Sequence, residues 1–338
     1  MKRRLALLSL LSAAVALAAV AGVAFGATPL PLSRILELLF SSEARSANPT
    51  DAWIVLNLRL CRVVAAGLAG AALSVAGAVL QALLRNPLAE PYVLGVSAGA
   101  SVGAAAVVAF GFTAALGGLA LPTAAFLGAL ASTALVYALA RSGGRIPGPT
   151  LLLSGVVVAS VLGSLVSVLL FLSGGQNRME AVILWTMGGF SEVDWARVAV
   201  TVVPILVCAV VMWALGRDLN LLAFGEDPAR FLGADVEPLK VTALIATALL
   251  TACAVAMGGV IGFVGLMAPH AARRLVGPDH RILIPSTALL GAVLLILGDL
   301  LGRSVHPPLE IPVGLITALF GGPFFLVVLR GQFRRSGS

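Results

Sequence analysis

Charge is what this 338-residue chain has least of: Asp, Glu, Lys and Arg make up 11% of it, against roughly 25% in an ordinary soluble domain. So few charges cannot cover a water-soluble globule. Lysine nearly vanishes, being confined to Lys2 and Lys240. Cysteine is limited to Cys61, Cys208 and Cys253, far apart and without CxxC spacing. That leaves no basis for a disulfide framework or a structural zinc site, and the three read as small packing residues. There is no GxxxxGK[ST] loop, so the chain hydrolyses no ATP by itself. Nor is there an HExxH pair or a pair of aspartates to suggest an intramembrane enzyme.

What the chain does have is apolar surface: 59% of it is hydrophobic, with a mean hydropathy of +1.05, which excludes disorder. The net charge of +7 comes from arginines scattered between apolar runs. They form no continuous stripe, so nucleic acid is excluded as a partner.

A helix needs about 20 mostly apolar residues to cross a hydrocarbon layer ~30 Å thick. Ten runs qualify, at about 5–26, 52–83, 92–111, 115–140, 150–173, 195–216, 241–258, 260–276, 283–302 and 312–330. They lack the strict alternation of barrel strands. The sequence therefore predicts an all-α polytopic membrane protein, a single transmembrane domain over 1–338 bathed in lipid. The eighth run is short and carries Pro269, His270, Arg273 and Arg274 near its end, and Gly258-Gly259 permits a reversal before it. His270 has no second ligand at metal spacing and reads as structural. The first run opens with Lys2-Arg3-Arg4 as a signal peptide would, but it outlasts a signal core of roughly 7–15 residues and reads as a retained helix. With the amino terminus in the cytoplasm, 15 of the 22 basic side chains fall inside and 7 outside, the bias expected of cytoplasmic loops. Both termini are then cytoplasmic.

Two connections are longer than a turn requires. The outer segment 174–194 has an apolar centre, Ile183-Leu184-Trp185, and is expected to lie along the interface or close over a cavity. The inner segment 217–240 is punctuated by Gly225, Pro228 and Gly233 and is expected to form two short helices flat on the inner face. Arg85-Asn86-Pro87-Leu88-Ala89-Glu90-Pro91 separates the second and third runs; its prolines force a defined turn, either a gate at the inner mouth or a rigid connector. Arg59, Arg62 and Arg303 stand at outer helix ends. Three readings stay open for them: an i,i+4 pair of Asp299 with Arg303, snorkelling, or a guanidinium cluster that pairs with carboxylates of a partner.

These residues resemble the FecCD-type permeases of ABC importers for ferric siderophores, haem and cobalamin. The resemblance runs from about 52 to 330. It is carried by LRLCRVVAAGLAGAALSVAGAVLQALLRNPLAEPYVLGVSAGA at 58–100, FGEDPARFLGADV at 224–236, GVIGFVGLMAPHAARRLVGPDHRILIP at 259–285 and LEIPVGLITALFGGPFFLVVL at 309–329. It implies the type II importer fold, with ten transmembrane helices, of which 2–5 and 7–10 are repeats of opposite topology. The implied assembly is a homodimer around one translocation path in the bacterial inner membrane. Its implied partners are a second copy, two cytoplasmic ATPase subunits that handle ATP and Mg, a periplasmic binding protein and a metal-chelate substrate. The chain itself would bind no cofactor or metal directly.

The resemblance also assigns residues. Gly225, Glu226, Ala229, Arg230, Leu232 and Gly233 would couple to the ATPase, and Arg59, Arg62 and Arg303 would meet acidic residues of the binding protein. Asn86, Pro87 and Leu88, with Gly148 and Pro149 before helix 5, would form the cytoplasmic gate. Cys61 stands where the family usually has proline, which puts the local helix start in question. TMGGFSEVDW at 186–195 and PLAEP at 87–91 look like the cobalamin importers, yet siderophore, haem and cobalamin all stay open. The alternative function is an ion-coupled secondary transporter. It needs membrane-embedded ionisable groups, and only Asp299 and His270 come near.

Overall fold

A computed structural model describes residues 2–26, 28–112, 118–173 and 175–336, with side chains from residue 4 to residue 330 of these. All ten expected crossings are helices: α1 Lys2–Ala24, α2 Cys61–Leu83, α3 Val96–Ala109, α4 Ala120–Ala140, α5 Gly148–Leu172, α6 Trp195–Ala214, α7 Val236–Gly258, α8 Val264–Val276, α9 His280–Ser304 and α10 Val313–Ser336. Eight are long and apolar enough to cross a membrane; α3 and α8, with 14 and 13 residues, are shorter. The expected start of the fourth run, 115–117, lies outside the described residues. The helix start at Cys61 is resolved too: the chain is already helical from Pro49 and passes through a widened turn at Ile54–Leu60 into α2.

The stretch between the first two crossings, unassigned from the sequence, holds short helices at Leu32–Phe40, Ser42–Ala47 and Pro49–Trp53. Ile35 and Leu38 bury one face of the first. The Ala44 amide donates to Ser41 Oγ at 3.2 Å, a serine N-cap that separates the first from the second.

Small side chains decide what lies at the centre. α2 and α7 are the most deeply buried crossings, whereas α5 turns most of its surface outward. Along α2 the glycines let neighbouring backbones touch: a Cβ at Gly70 would overlap the Gly291 carbonyl of α9, and one at Gly77 that of Gly265 in α8. This is close small-residue packing of the kind bilayer helices use. α2 packs on α9, and α7 on α4; α3 packs on α4 and α5, and α8 on α9 and α10. Exchanging α2–α5 for α7–α10 maps each pairing onto another, the relation the repeats imply. On the open face of α5, Ser160, Ser164 and Ser167 donate to carbonyls four residues back, at 3.0–3.3 Å, so these three hydroxyls need no water.

The short crossings α3 and α8 start inside the bundle. Gly95, at φ 73°, precedes α3, and Phe263, at φ 68°, precedes α8. The Gly95 carbonyl accepts from Ser132, eight residues before the end of α4. Phe263 packs against Gly321, eight residues into α10. At 1.5 Å per residue, each break lies about 12 Å in from its own end of the bundle. The expected runs 92–111 and 260–276 are therefore corrected: residues 91–95 and 259–263 are not α-helix. Unwound backbone at this depth must find partners within the protein, and the first break supplies them to the second. The Ile261 amide donates to the Tyr92 hydroxyl at 2.9 Å, and the Phe263 amide donates to Glu90 Oε1.

Candidate functional site

Alternating crossings gather the loops at two ends, each marked by an ionic cluster. One end, here the lysine end, brings together the 84–90 turn, the 141–147 turn, the 215–235 segment and the α8–α9 turn. The arginine end holds the close of α1, the start of α2, the 176–193 segment and the 305–312 connection.

At the lysine end the expected pair of short helices is present, Gly216–Ala223 and Glu226–Phe231. The first is fastened to the α8–α9 turn. Asn220 Nδ2 donates to Asp279 Oδ1 at 2.9 Å, and Asn220 Oδ1 accepts from the His280 amide at 2.9 Å. Arg4 adds an ion pair to Asp279 at 3.5 Å. The Asn220 hydrogen bond, chiefly, with the Arg281 amide and the Arg4 charge, holds the Asp279 carboxyl below its ordinary value of 3.8. The second helix is fastened by charge. Lys240, 3% exposed, places Nζ 2.6 Å from Glu226 and 3.6 Å from Glu237. Arg230 pairs with Glu226, Asp227 and Glu237 at 3.7, 3.6 and 3.1 Å.

Of the other coupling residues, Gly225 and Gly233 sit at φ 129° and 86° and end the helical turns, Ala229 is fully buried, and Leu232 is exposed. Sequence reasoning passed over Phe224 and Phe231, exposed by 79% and 91%. Their signal was present: one aromatic directly before Gly225 and another at the end of the six-residue piece that follows it. This knob of apolar side chains rests on an ionic base of Lys240, Arg230, Glu226 and Glu237.

The gate residues gather beside it. The Leu88 amide donates to Asn86 Oδ1 at 3.0 Å, and the Ala89 amide to the Asn86 carbonyl at 3.1 Å; with Pro87 between them they form a closed turn. Gly148 and Pro149 open the first turn of α5, and a Cβ at Gly148 would lie 3.7 Å from the Leu84 side chain. Leu88 and Glu90 also line an apolar cavity of about 630 Å³, walled by Val93, Phe263, Leu266 and Phe325.

The arginine end differs from expectation. Arg59 donates from Nη1 to the Val23 and Ala24 carbonyls at 3.0 and 3.1 Å, and from Nη2 to Thr28. Arg303 Nη2 donates to the Gly22 carbonyl. Gly22, Val23 and Ala24 are carbonyls that α1 leaves unpaired where it stops, and two arginines cap them. Arg62 reaches Asp299 Oδ1 from Nη2 at 2.8 Å, and Glu310 from Nη1 at 2.8 and 3.0 Å. The i,i+4 pair is present as well, with Arg303 Nε 3.4 Å from Asp299 Oδ2. Of the three arginines read as an outward cluster, Arg59 and Arg303 are 4% and 5% exposed and donate to the carbonyls of α1, whereas Arg62 pairs with the more accessible Glu310. Beside them the 176–186 helix roofs a cavity of about 480 Å³, lined by Arg62, Glu180, Trp185, Glu192, Arg197 and Glu310, one of the two roles expected of the 174–194 segment. His270 stands edge-on to Phe324, and among the described residues no metal cluster forms.

Ten apolar helices, two of them short, with a cavity near each end and an exposed apolar knob, define a polytopic membrane-protein fold. Residues 13–331 match the FecCD transport family, and the chain belongs to that family. It is 40% identical over 311 residues to the cobalamin import system permease protein BtuC of Halobacterium salinarum, covering 92% of this chain and 82% of that one. It is 40% identical over 307 residues to the hemin transport system permease protein HmuU of Yersinia pestis, covering 89% and 91%. Its structure is similar to that of a metal-chelate type ABC transporter in an inward-facing conformation, with a TM-score of 0.84 and 32% identity over 96% of this chain and 98% of that one. The chain is a permease subunit of an ABC importer, a transport component and not an enzyme, and it works with ATPase and substrate-binding components.

Proposed function

We propose that the chain carries a metal chelate (a ferric siderophore, haem or cobalamin) across the bacterial inner membrane by alternating access, as one half of a homodimer. The lysine end faces the cytoplasm, with both termini on that side and two ATPase subunits seated on 224–236. ATP and Mg act in those subunits, and the permease holds no cofactor of its own. A periplasmic binding protein docks on the arginine end, where Arg62 and Glu310 form the accessible edge of the ionic cluster and Arg59 and Arg303 keep the rim in shape.

The observation that carries this reading is the knob: Phe224, Phe231 and Leu232 are exposed together at a polar end, and an apolar patch of that kind marks an interaction surface. The basic bias of that end supports the orientation. The relatives named for cobalamin and hemin support a large chelated substrate over a bare ion.

Two measurements test it. Charge reversal of Glu226 with Arg230 should strip the ATPase from the purified permease, and retention of the ATPase would count against the docking assignment. Proteoliposomes carrying the complete system should take up one of cobalamin, haemin, ferric citrate or a ferric hydroxamate with ATP and not without it. Uptake of molybdate alone, or by a proton gradient alone, would refute the substrate class or the energy source.

A further inference from the structure

The only hydrogen bond or ion pair that joins the 216–240 segment to the 141–149 stretch, among the described residues, comes from Lys240: its Nζ donates to the Ile146 carbonyl at 2.9 Å. The same nitrogen holds Glu226 at 2.6 Å. One buried ammonium therefore ties the first residue of the knob helix to the backbone two residues before α5. On one side, Glu226 opens the helix that carries Phe231. On the other, Ile146 is buried, Pro147 is extended and α5 begins at Gly148. The intervening turn is short and stiff, because Ser142 and Arg145 exchange two backbone hydrogen bonds at 3.0 Å. A lysine has three donors and no acceptor, and here they converge on a carbonyl and two carboxylates. With Lys240 Nζ buried and engaged by all three, the helix, the turn and α7 meet at one point.

We propose that Lys240 is the positioning residue that carries displacement of the 226–231 helix to the start of α5, and so to the gate residues Gly148 and Pro149. The proposal rests on the reading that the ATPase seats on 224–236. It adds the route by which that seating reaches the membrane: helix, Glu226, Lys240, Ile146, α5. Arg230 shares the carboxylates but makes no bond to the 141–149 stretch, so it braces the helix without passing on its movement.

The three native cysteines are buried, so an exposed Thr150→Cys serves as a single reporter in the first turn of α5. Its rate of reaction with a water-soluble maleimide is measured on the permease–ATPase complex in nanodiscs, with and without Mg-ATP and vanadate. In the otherwise native chain, nucleotide should change the rate by roughly tenfold, within the usual range for coupled sites. Lys240→Met should abolish that response, and so should Lys240→Met combined with Glu237→Gln, which restores the net charge. Lys240→Arg should keep part of it, and the ATPase should copurify with all three variants.

A full nucleotide response in the charge-balanced variant would overturn the proposal, as would a native complex with no response. Loss of the ATPase from both methionine variants would overturn it too, by making Lys240 part of the seat. Failure of the docking reading is distinguishable, because there the Glu226 and Arg230 reversals leave the ATPase in place.

Discussion

The two ends of the bundle use the same chemistry for different purposes. At the arginine end, guanidinium groups terminate on carbonyls of α1 and on carboxylates at Asp299 and Glu310, all within or beside the long crossings. At the lysine end, the charges run between a surface helix, a turn and the first turn of α7. The first arrangement staples crossings that pack together anyway. The second joins pieces that have little else in common, and it is the one able to pass on a displacement. A buried cluster is therefore better read from what its members are attached to than from how many charges it holds.

That contrast can be broken by substitution. Arg303→Met removes one of the two guanidinium partners of the buried Asp299 and the donor to a helix-end carbonyl, and should lower stability by about 1–3 kcal/mol, read as a drop in thermal unfolding temperature in detergent. A loss no larger than that of an exposed pair would erase the distinction. Acidification should act at the lysine end instead. Because the Asp279 carboxyl is held below 3.8, its contribution is fully present at neutral pH and is lost as the pH falls through the lowered value. Asp279→Asn should flatten that acid limb of the unfolding curve. Glu310→Gln, at the solvent-facing edge of the Arg62 pair, should cost about 1 kcal/mol or less, measured in the same unfolding assay. Asp227→Asn should be smaller still, about 0.5 kcal/mol at most for so exposed a partner of Arg230; a larger loss would mean that the knob is held more rigidly than its ion pairs indicate.

Much of this was legible in the chain. Ten apolar runs gave ten helices because each must satisfy its own backbone in lipid, and Asn86-Pro87-Leu88 and the glycine-punctuated 217–240 segment carry local turn chemistry. Punctuation at Pro91 and Gly258-Gly259 was legible, but not the unwinding that continues to 95 and 263, because both stretches are as apolar as the helices around them. The second is held by acceptors some 170 residues away, Tyr92 for Ile261 and Glu90 for Phe263. For the arginines the sequence pointed to the Asp299–Arg303 pair but not to the carbonyl partners of Arg59 and Arg303. A carboxylate leaves a trace in sequence, whereas the carbonyls of Gly22, Val23 and Ala24 leave none. Lys240 offered one hint, as the sole lysine beyond the second residue.

The clasp between Glu90, Tyr92 and the 261–263 stretch bears on how the two halves of the molecule can part. On a map of secondary structure, that stretch looks like the natural hinge. Its amide protons are instead sequestered by side chains from the opposite half, and isotope labelling should find an island of slow exchange in a region that belongs to no helix. The apparent joint is a weld, and flexing is left to the periphery.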